Sequence, residues 1–250
     1  MRSHVSNLHQ ELVHSLETEQ LIALCTVIVG PGLGSKMLIW PDGQSKGDLQ
    51  SADLNRQVCQ HAEALFQQQK SERTSFDSDG QKSEVFIEVF PPTPRLIIIG
   101  AVHAAIPLIT FAKVLGFRTT VVDPRSAFAT PQRFSHADEL IVKWPQEALS
   151  PSDFNEGTYL VALSHDEKLD NPALKLALES PCRYIGALGS RKTHARRVAS
   201  LKEMGLTDEQ LSRIHSPIGL NLGGRRPAEI AVSILAEIIA LRHGQNPLRS

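Results

Sequence analysis

The chain has 250 residues, 41% of them hydrophobic, and a formal net charge of −1 at neutral pH. That size and apolar share suffice for one substantial buried core or two small ones, which excludes a disordered chain. The near-zero charge excludes a general electrostatic pull toward nucleic acid or an anionic membrane and leaves any charged ligand to local groups.

The opening "MRSHVSNLHQELVHSLETEQ" lacks the apolar stretch of a secretory signal, and no apolar run approaches the roughly 18 residues that a membrane span needs. A cytoplasmic chain with no nucleic-acid or membrane partner is expected. Cys25, Cys59 and Cys182 stand far apart and lack the paired spacings of a zinc site or a disulfide framework, so they read as reduced thiols. His103, His165, His194 and His215 invite a metal hypothesis, but no pair has tight motif spacing, and no metal site is expected. Residues 21–30 ("LIALCTVIVG") and 36–43 ("KMLIWPDG") read as strands around the glycine-rich "GPGLGS". Leu54, Val58, Ala62, Leu65 and Phe66 recur at helical spacing within residues 51–70, and "EVFIEVF" (84–90) is a further strand after a polar turn around Asp79-Gly80. Pro91, Pro92 and Pro94 in "VFPPTPR" bar both helix and central strand. The domain boundary is placed there, with a small α+β domain over 1–90 and a second domain over 91–250.

Beyond the boundary, strands and helices alternate. "RLIIIG", "RTTVVD", "ELIV", "TYLVALS" and "RYIGAL" are short runs rich in β-branched residues, as expected of strands buried on both faces. Between them, residues 103–115 form a helix ending at Gly116, residues 172–179 a helix with Pro172 at its first position, and residues 191–204 a helix after Ser190. A last helix opens at Pro227 and stops at Gly244. The fold class is therefore α/β: a C-terminal Rossmann-like open parallel sheet with helices on both faces, plus the smaller N-terminal α+β domain.

Ligands of such sheets bind outside the carboxyl ends of the strands, and there polar residues gather. Gly100 and His103 follow the first strand, Asp123 and Arg125 the second, Ser164, His165 and Asp166 the fourth, and Gly189, Ser190 and Arg191 the fifth. The dinucleotide fingerprint is incomplete: Gly100 and Ala105 meet its first and third positions, but Val102 stands where the second glycine lets a pyrophosphate approach. Asp123 could still accept from a ribose-like diol; alternatively Gly100 simply makes a turn and Asp123 caps the next segment. "ALGSRKTHARR" (187–197) offers an anion site, with free N–H groups at a helix start beside Arg191 and Lys192. Its alternative is an ordinary Ser cap on a solvated basic helix. "GLNLGGRRPAEI" (219–230) repeats the pattern, as a second anion site or as a loop and cap. "SHD" (164–166) is no hydrolase triad, since adjacent side chains cannot line up as nucleophile, base and orienter, and no G-x-S-x-G elbow is present. No catalytic residue is assigned.

"PPTPRLIIIGAVHAAIPL", "GFRTTVVDPRSAFATPQRF", "VALSHDEKLDNPALKLAL", "RYIGALGSRKTHARR" and "RIHSPIGLNLGGRRPAEIAVSILAEIIA" resemble the C-terminal Rossmann-like domain of the XdhC/CoxI family, the xanthine dehydrogenase accessory factors. "GPGLGSKMLIWPDGQSKGDL" resembles that family's N-terminal domain. The resemblance implies a maturation chaperone more than an enzyme. Such a protein binds molybdenum cofactor (molybdopterin), assists its sulfuration and inserts it into a xanthine dehydrogenase-type molybdenum hydroxylase, its client. On that reading Gly100 and His103 line the floor of the site, Asp123 accepts hydrogen bonds, His165 and Asp166 face the ligand, Gly189, Ser190 and Arg191 hold the phosphate, and Arg125 is a further cofactor-binding residue; a homodimer is left open. Two departures stand out: the family's "GAGH" is "GAVH" here, and its cysteine after the N-terminal hairpin has no counterpart between Cys25 and Cys59. The alternative, from the fold rather than the resemblance, is an NAD(P)-dependent oxidoreductase.

Overall fold

The computed structural model describes residues 2–78 and 80–245, so Asp79 of the expected turn lies outside the described residues. The chain divides into two compact units, Met1–Pro92 and Thr93–Ser250.

The first unit runs α1 (Arg2–Glu17), β1 (Ile22–Val29), β2 (Lys36–Ile39), β3 (Ser45–Asp48), α2 (Ala52–Gln68), β4 (Glu72–Ser78) and β5 (Gln81–Phe90). The strands make an antiparallel sheet in the order β3-β2-β1-β5-β4. Strand alternation sends Ala23, Cys25 and Val27 of β1 and Val85, Ile87 and Val89 of β5 to one face, where they meet Leu54, Val58, Ala62, Leu65 and Phe66 of α2. Ser51 starts α2 by accepting the Leu54 N–H. The helix α1 and the edge strands β3 and β4 were not among the expected elements.

The second unit runs β6 (Arg95–Ile99), α3 (Ala105–Val114), β7 (Arg118–Val122), α4 (Pro131–Phe134), β8 (Glu139–Ile141), α5 (Pro145–Ala148), β9 (Thr158–Ala162), α6 (Glu167–Leu178), β10 (Tyr184–Ala187), α7 (Arg191–Glu203), α8 (Asp208–Leu211), β11 (Ile214–His215) and α9 (Pro227–Arg242). All six strands are parallel, in the order β11-β10-β9-β6-β7-β8. Consecutive residues of β6 face opposite layers: Leu96 and Ile98 pack with α3 and α9, and Ile97 and Ile99 with α6 and α7. Each such fully buried side chain contributes about 1.5–3 kcal/mol of transfer free energy. The strand order reverses between β6 and β9, which opens a crevice at their carboxyl ends.

The helix expected from Pro172 begins five residues earlier and holds Pro172 in its interior. Asp166 caps it by accepting the Lys168 N–H, and the burial of Leu169, Asp170 and Asn171 holds the first turns in place despite the missing Pro172 donor. Among the described residues, no helix is long and apolar enough to cross a membrane.

Candidate functional site

The rim over β7, β6, β9 and β10 is stitched together by contacts that run from one strand end to the next. At Gly100, φ is +106°, and a Cβ there would stand 3.0 Å from the backbone of Ser164, so only glycine lets the β6 and β9 ends approach this closely. Ser164 donates to the Asp170 carboxylate at 2.6 Å. Asp170 in turn meets Arg197 Nη2 at 3.4 Å, and that same nitrogen donates to the Leu188 carbonyl, at the end of β10, at 3.1 Å. Both members of this ion pair are buried, with side chains 1% and 2% exposed. Burial pushes the Asp170 carboxyl above the usual carboxylate value, against the pull of Ser164 and Arg197.

Asp123 departs from its expected role. It is fully buried at the end of β7, and four donors from its own chain fill its two oxygens. Oδ2 accepts from the Ala101 N–H and Arg125 Nη2, both at 2.7 Å, and Oδ1 accepts from the Arg125 N–H and Nε, both at 2.9 Å. Burial alone would raise its carboxyl; these donors outweigh it and leave the group below its ordinary value. A carboxylate has about four acceptor positions, so Asp123 keeps none for a ribose diol. Val102 is half-buried and packs against the apolar cluster under α3. Both features weigh against an ordinary nicotinamide dinucleotide site.

The remaining predicted residues lie along the same rim. His103 is exposed in the turn between β6 and α3. His165 is exposed with φ +60°, a left-handed conformation that a non-glycine residue adopts at some cost, and Asp166 is committed to capping α6. Gly189 and Ser190 form the turn into α7, where Ser190 accepts the Thr193 N–H. Gly189 has φ +146°, and a Cβ there would lie 3.2 Å from the Thr193 side chain and 3.8 Å from Arg197 Nη1. The Arg191 side chain is exposed and makes no hydrogen bond or ion pair among the described residues. The structure thus sets all these strand ends side by side, although no hydrogen bond or ion pair links Arg191, His165 and Asp123 to one another.

Sequence reasoning missed the buried charge beneath this surface. Arg197 has two further guanidinium nitrogens, Nε and Nη1, without a partner, and His194 Nδ1 and Asn171 Oδ1 are also buried and unpaired. Burial, reinforced by Arg197, lowers the His194 imidazole, which keeps it neutral at pH 7. The signal was present in the spacing: residues 194, 197, 198 and 201 share the helix face that carries buried Leu201. Buried Tyr184 and Glu237, with half-buried His215 beside them, form a second polar cluster. Glu237 accepts from the Tyr184 hydroxyl and from the Gly219 N–H at 2.8 Å, which ties the loop before α9 to the sheet. In the first unit, a cavity of about 1200 Å³ opens between α1 and the 32–36 loop beside Leu8, Leu12, Leu33 and Lys36, and no predicted site residue lines it.

The family model for the XdhC Rossmann domain matches residues 96–238, and that for the XdhC and CoxI family matches residues 15–77. The chain belongs to the XdhC/CoxI family. Curated relatives of this XdhC/CoxI chain include a protein from Bacillus subtilis named as a probable xanthine dehydrogenase component, 36% identical over 65% of the chain. Two others are from Escherichia coli: the uncharacterized protein YqeB, 28% identical over 85% of the chain, and the molybdenum cofactor insertion chaperone PaoD, 29% identical over 61%. The matched stretches span 47%, 41% and 42% of those relatives' own lengths, so the chain accounts for less than half of each. The crystal structure of a xanthine dehydrogenase from Bacillus halodurans superposes with a TM-score of 0.54 at 23% identity, covering 96% of this chain and 97% of that one, and supports the XdhC/CoxI fold.

Proposed function

We propose that the chain is a maturation protein that binds molybdenum cofactor along the C-terminal rim and assists its sulfuration and insertion into a xanthine dehydrogenase-type molybdenum hydroxylase. The observation that carries this reading is the buried, only partly neutralised Arg197 under the start of α7, next to a turn that a side chain at Gly189 would crowd. A buried cation and a helix N-terminus acting together favour a dianion such as a phosphate tail. The filled Asp123 argues in the same direction, because a pterin with a phosphate needs no ribose acceptor. The name of the relative PaoD adds weight to the choice of cofactor.

When bound, the cofactor brings a pterin ring, a phosphate and a dithiolene that carries molybdenum. The N–H groups at Ser190 and Arg191 and the charges of Arg191 and Arg197 would hold the phosphate, and Gly100, His103, Arg125, His165 and Asp166 would border the ring. The chain's thiols do not fit a sulfur-carrying step. Cys182 is buried and pushed up to about 12, Cys25 is buried and pushed up as well, and burial also raises Cys59. The contribution to sulfuration is therefore holding and shielding the cofactor while another protein supplies the sulfur.

Anaerobic purification of the chain from cells that make molybdopterin, followed by pterin and molybdenum analysis, tests the proposal. About one pterin per chain is the expected result, and size-exclusion of the same sample reads whether the chain forms a homodimer. A chain free of pterin that binds NADPH tightly would replace this reading with that of an oxidoreductase.

A further inference from the structure

We propose that Arg125 and Phe128 form a stacking platform for a planar heteroaromatic ring at the mouth of the β6–β9 crevice, an inference that rests on the cofactor-binding reading of the same rim. The plane of the Arg125 guanidinium is fixed before any ligand arrives. Its Nε and Nη2 clamp the two oxygens of fully buried Asp123, so the plane cannot turn without breaking two charge-assisted hydrogen bonds. Phe128 lies in the connection between β7 and α4, with the Arg125 Cζ 4.8 Å from its ring centroid. Arg133 Nη1 donates to the Phe128 carbonyl at 2.7 Å and holds that connection in shape.

What the pair leaves open is as telling as what it fixes. Phe128 remains 47% exposed even with the guanidinium lying over it, although a large aromatic side chain normally gains by burial. Arg125 is 36% exposed, and its Nη1 makes no hydrogen bond among the described residues. The same Asp123 carboxylate accepts the Ala101 N–H just past the end of β6, and β6 neighbours β9, which sets the guanidinium it holds beside the β6–β9 crevice. A guanidinium is planar and weakly hydrated, and it stacks on aromatic faces while its edge still donates. The stack therefore offers a flat surface and one free donor edge to a flat ring that carries acceptors, the chemistry shared by a pterin and a purine.

Ligand-observed NMR on the full chain, with free pterin and separately with adenosine as probes, tests the platform in wild type, Arg125→Lys, Phe128→Leu and Phe128→Trp. Pterin binding should weaken at least about five-fold in Arg125→Lys and Phe128→Leu and persist in Phe128→Trp, because ring stacking survives only in the last. Phe128 is exposed and lies outside the apolar core, so thermal unfolding of Phe128→Leu should match wild type; if Arg125→Lys fails to fold, the two Phe128 variants decide. Equal affinity across wild type and variants overturns the platform, and so does a wild type that binds neither probe. Adenosine binding without pterin binding, with the same dependence on Arg125 and Phe128, keeps the platform and defeats the molybdenum-cofactor reading. Molybdopterin retained equally by wild type, Arg125→Lys and Phe128→Leu, with unchanged pterin affinity, keeps that reading and defeats the platform.

Discussion

Replacing Asp170 by Ala strands the Arg197 guanidinium in the interior with one carbonyl, that of Leu188, as its partner. At 3.4 Å and an effective dielectric near 20, the lost attraction is about 5 kcal/mol. Breaking buried pairs by removing one partner costs about 3–5 kcal/mol, which agrees. For a unit of this size, that loss lowers the unfolding midpoint by about 6–20 °C. The two units need not unfold together, so the assay must report on the second alone. Trp144 lies in that unit and Trp40 in the other, and a Trp40→Phe background isolates the Trp144 fluorescence. In guanidinium titrations Asp170→Ala should lose about 3–5 kcal/mol, whereas Asp170→Ala with Arg197→Met, which removes both charges, should recover most of it. A loss below about 1 kcal/mol in Asp170→Ala, or a double variant equal to the sum of the singles, would refute the account of a desolvated, coupled pair.

Asp138 gives a pH signature. Lys113 and the Thr119 N–H hold its carboxyl down at about 2 from an ordinary 3.8. A depressed folded value contributes stability above the ordinary value and loses it as pH falls, so the deficit of Asp138→Asn against wild type at pH 7 should close between about pH 4 and pH 2; a deficit independent of pH in urea titrations would contradict this. Gly100→Ala forces alanine into φ +106° with its Cβ 3.0 Å from the Ser164 backbone, a cost of about 1–3 kcal/mol that a urea midpoint will show and an unchanged midpoint will deny. Cys182 is 3% exposed, its thiol donates to the Thr158 and Tyr184 carbonyls, and burial pushes it up to about 12. Iodoacetamide at pH 8 should leave it unmodified in native protein and label it after unfolding, as peptide mass spectrometry can establish; rapid native labelling would show that the site is open.

The parallel sheet was legible because its strands are short β-branched runs that fill both faces, a composition with few other uses. Runs such as "ERTSFDS", which became β4, carry little apolar alternation and owe their extended form to the neighbouring β5. The start of α6 misled because Pro172 fits the first position of a helix, while the actual start depends on Asp166 and on Asp170 burying against Arg197, a residue 27 positions away. Arg197 itself sits in a basic stretch that composition marks as solvated, and only the packing of α7 against α6 takes it inside. The identity of Asp123 as the residue ending the second strand was plain from pattern. Its full occupancy was not, because that depends on where the Ala101 N–H and the Arg125 side chain arrive in space.

That full occupancy bears on selectivity among crowded cellular solutes. Nicotinamide dinucleotides and nucleotides are abundant competitors for any crevice of this topology, and their hydroxyl pairs ordinarily find a waiting acid at the end of the second strand. Here that acid is already spoken for, so such molecules would have to evict Arg125 from its doubly bonded grip on a buried carboxylate to gain the same contact. A molecule that brings no hydroxyl pair to this strand end forgoes nothing to that grip, because the fold itself withholds the handshake.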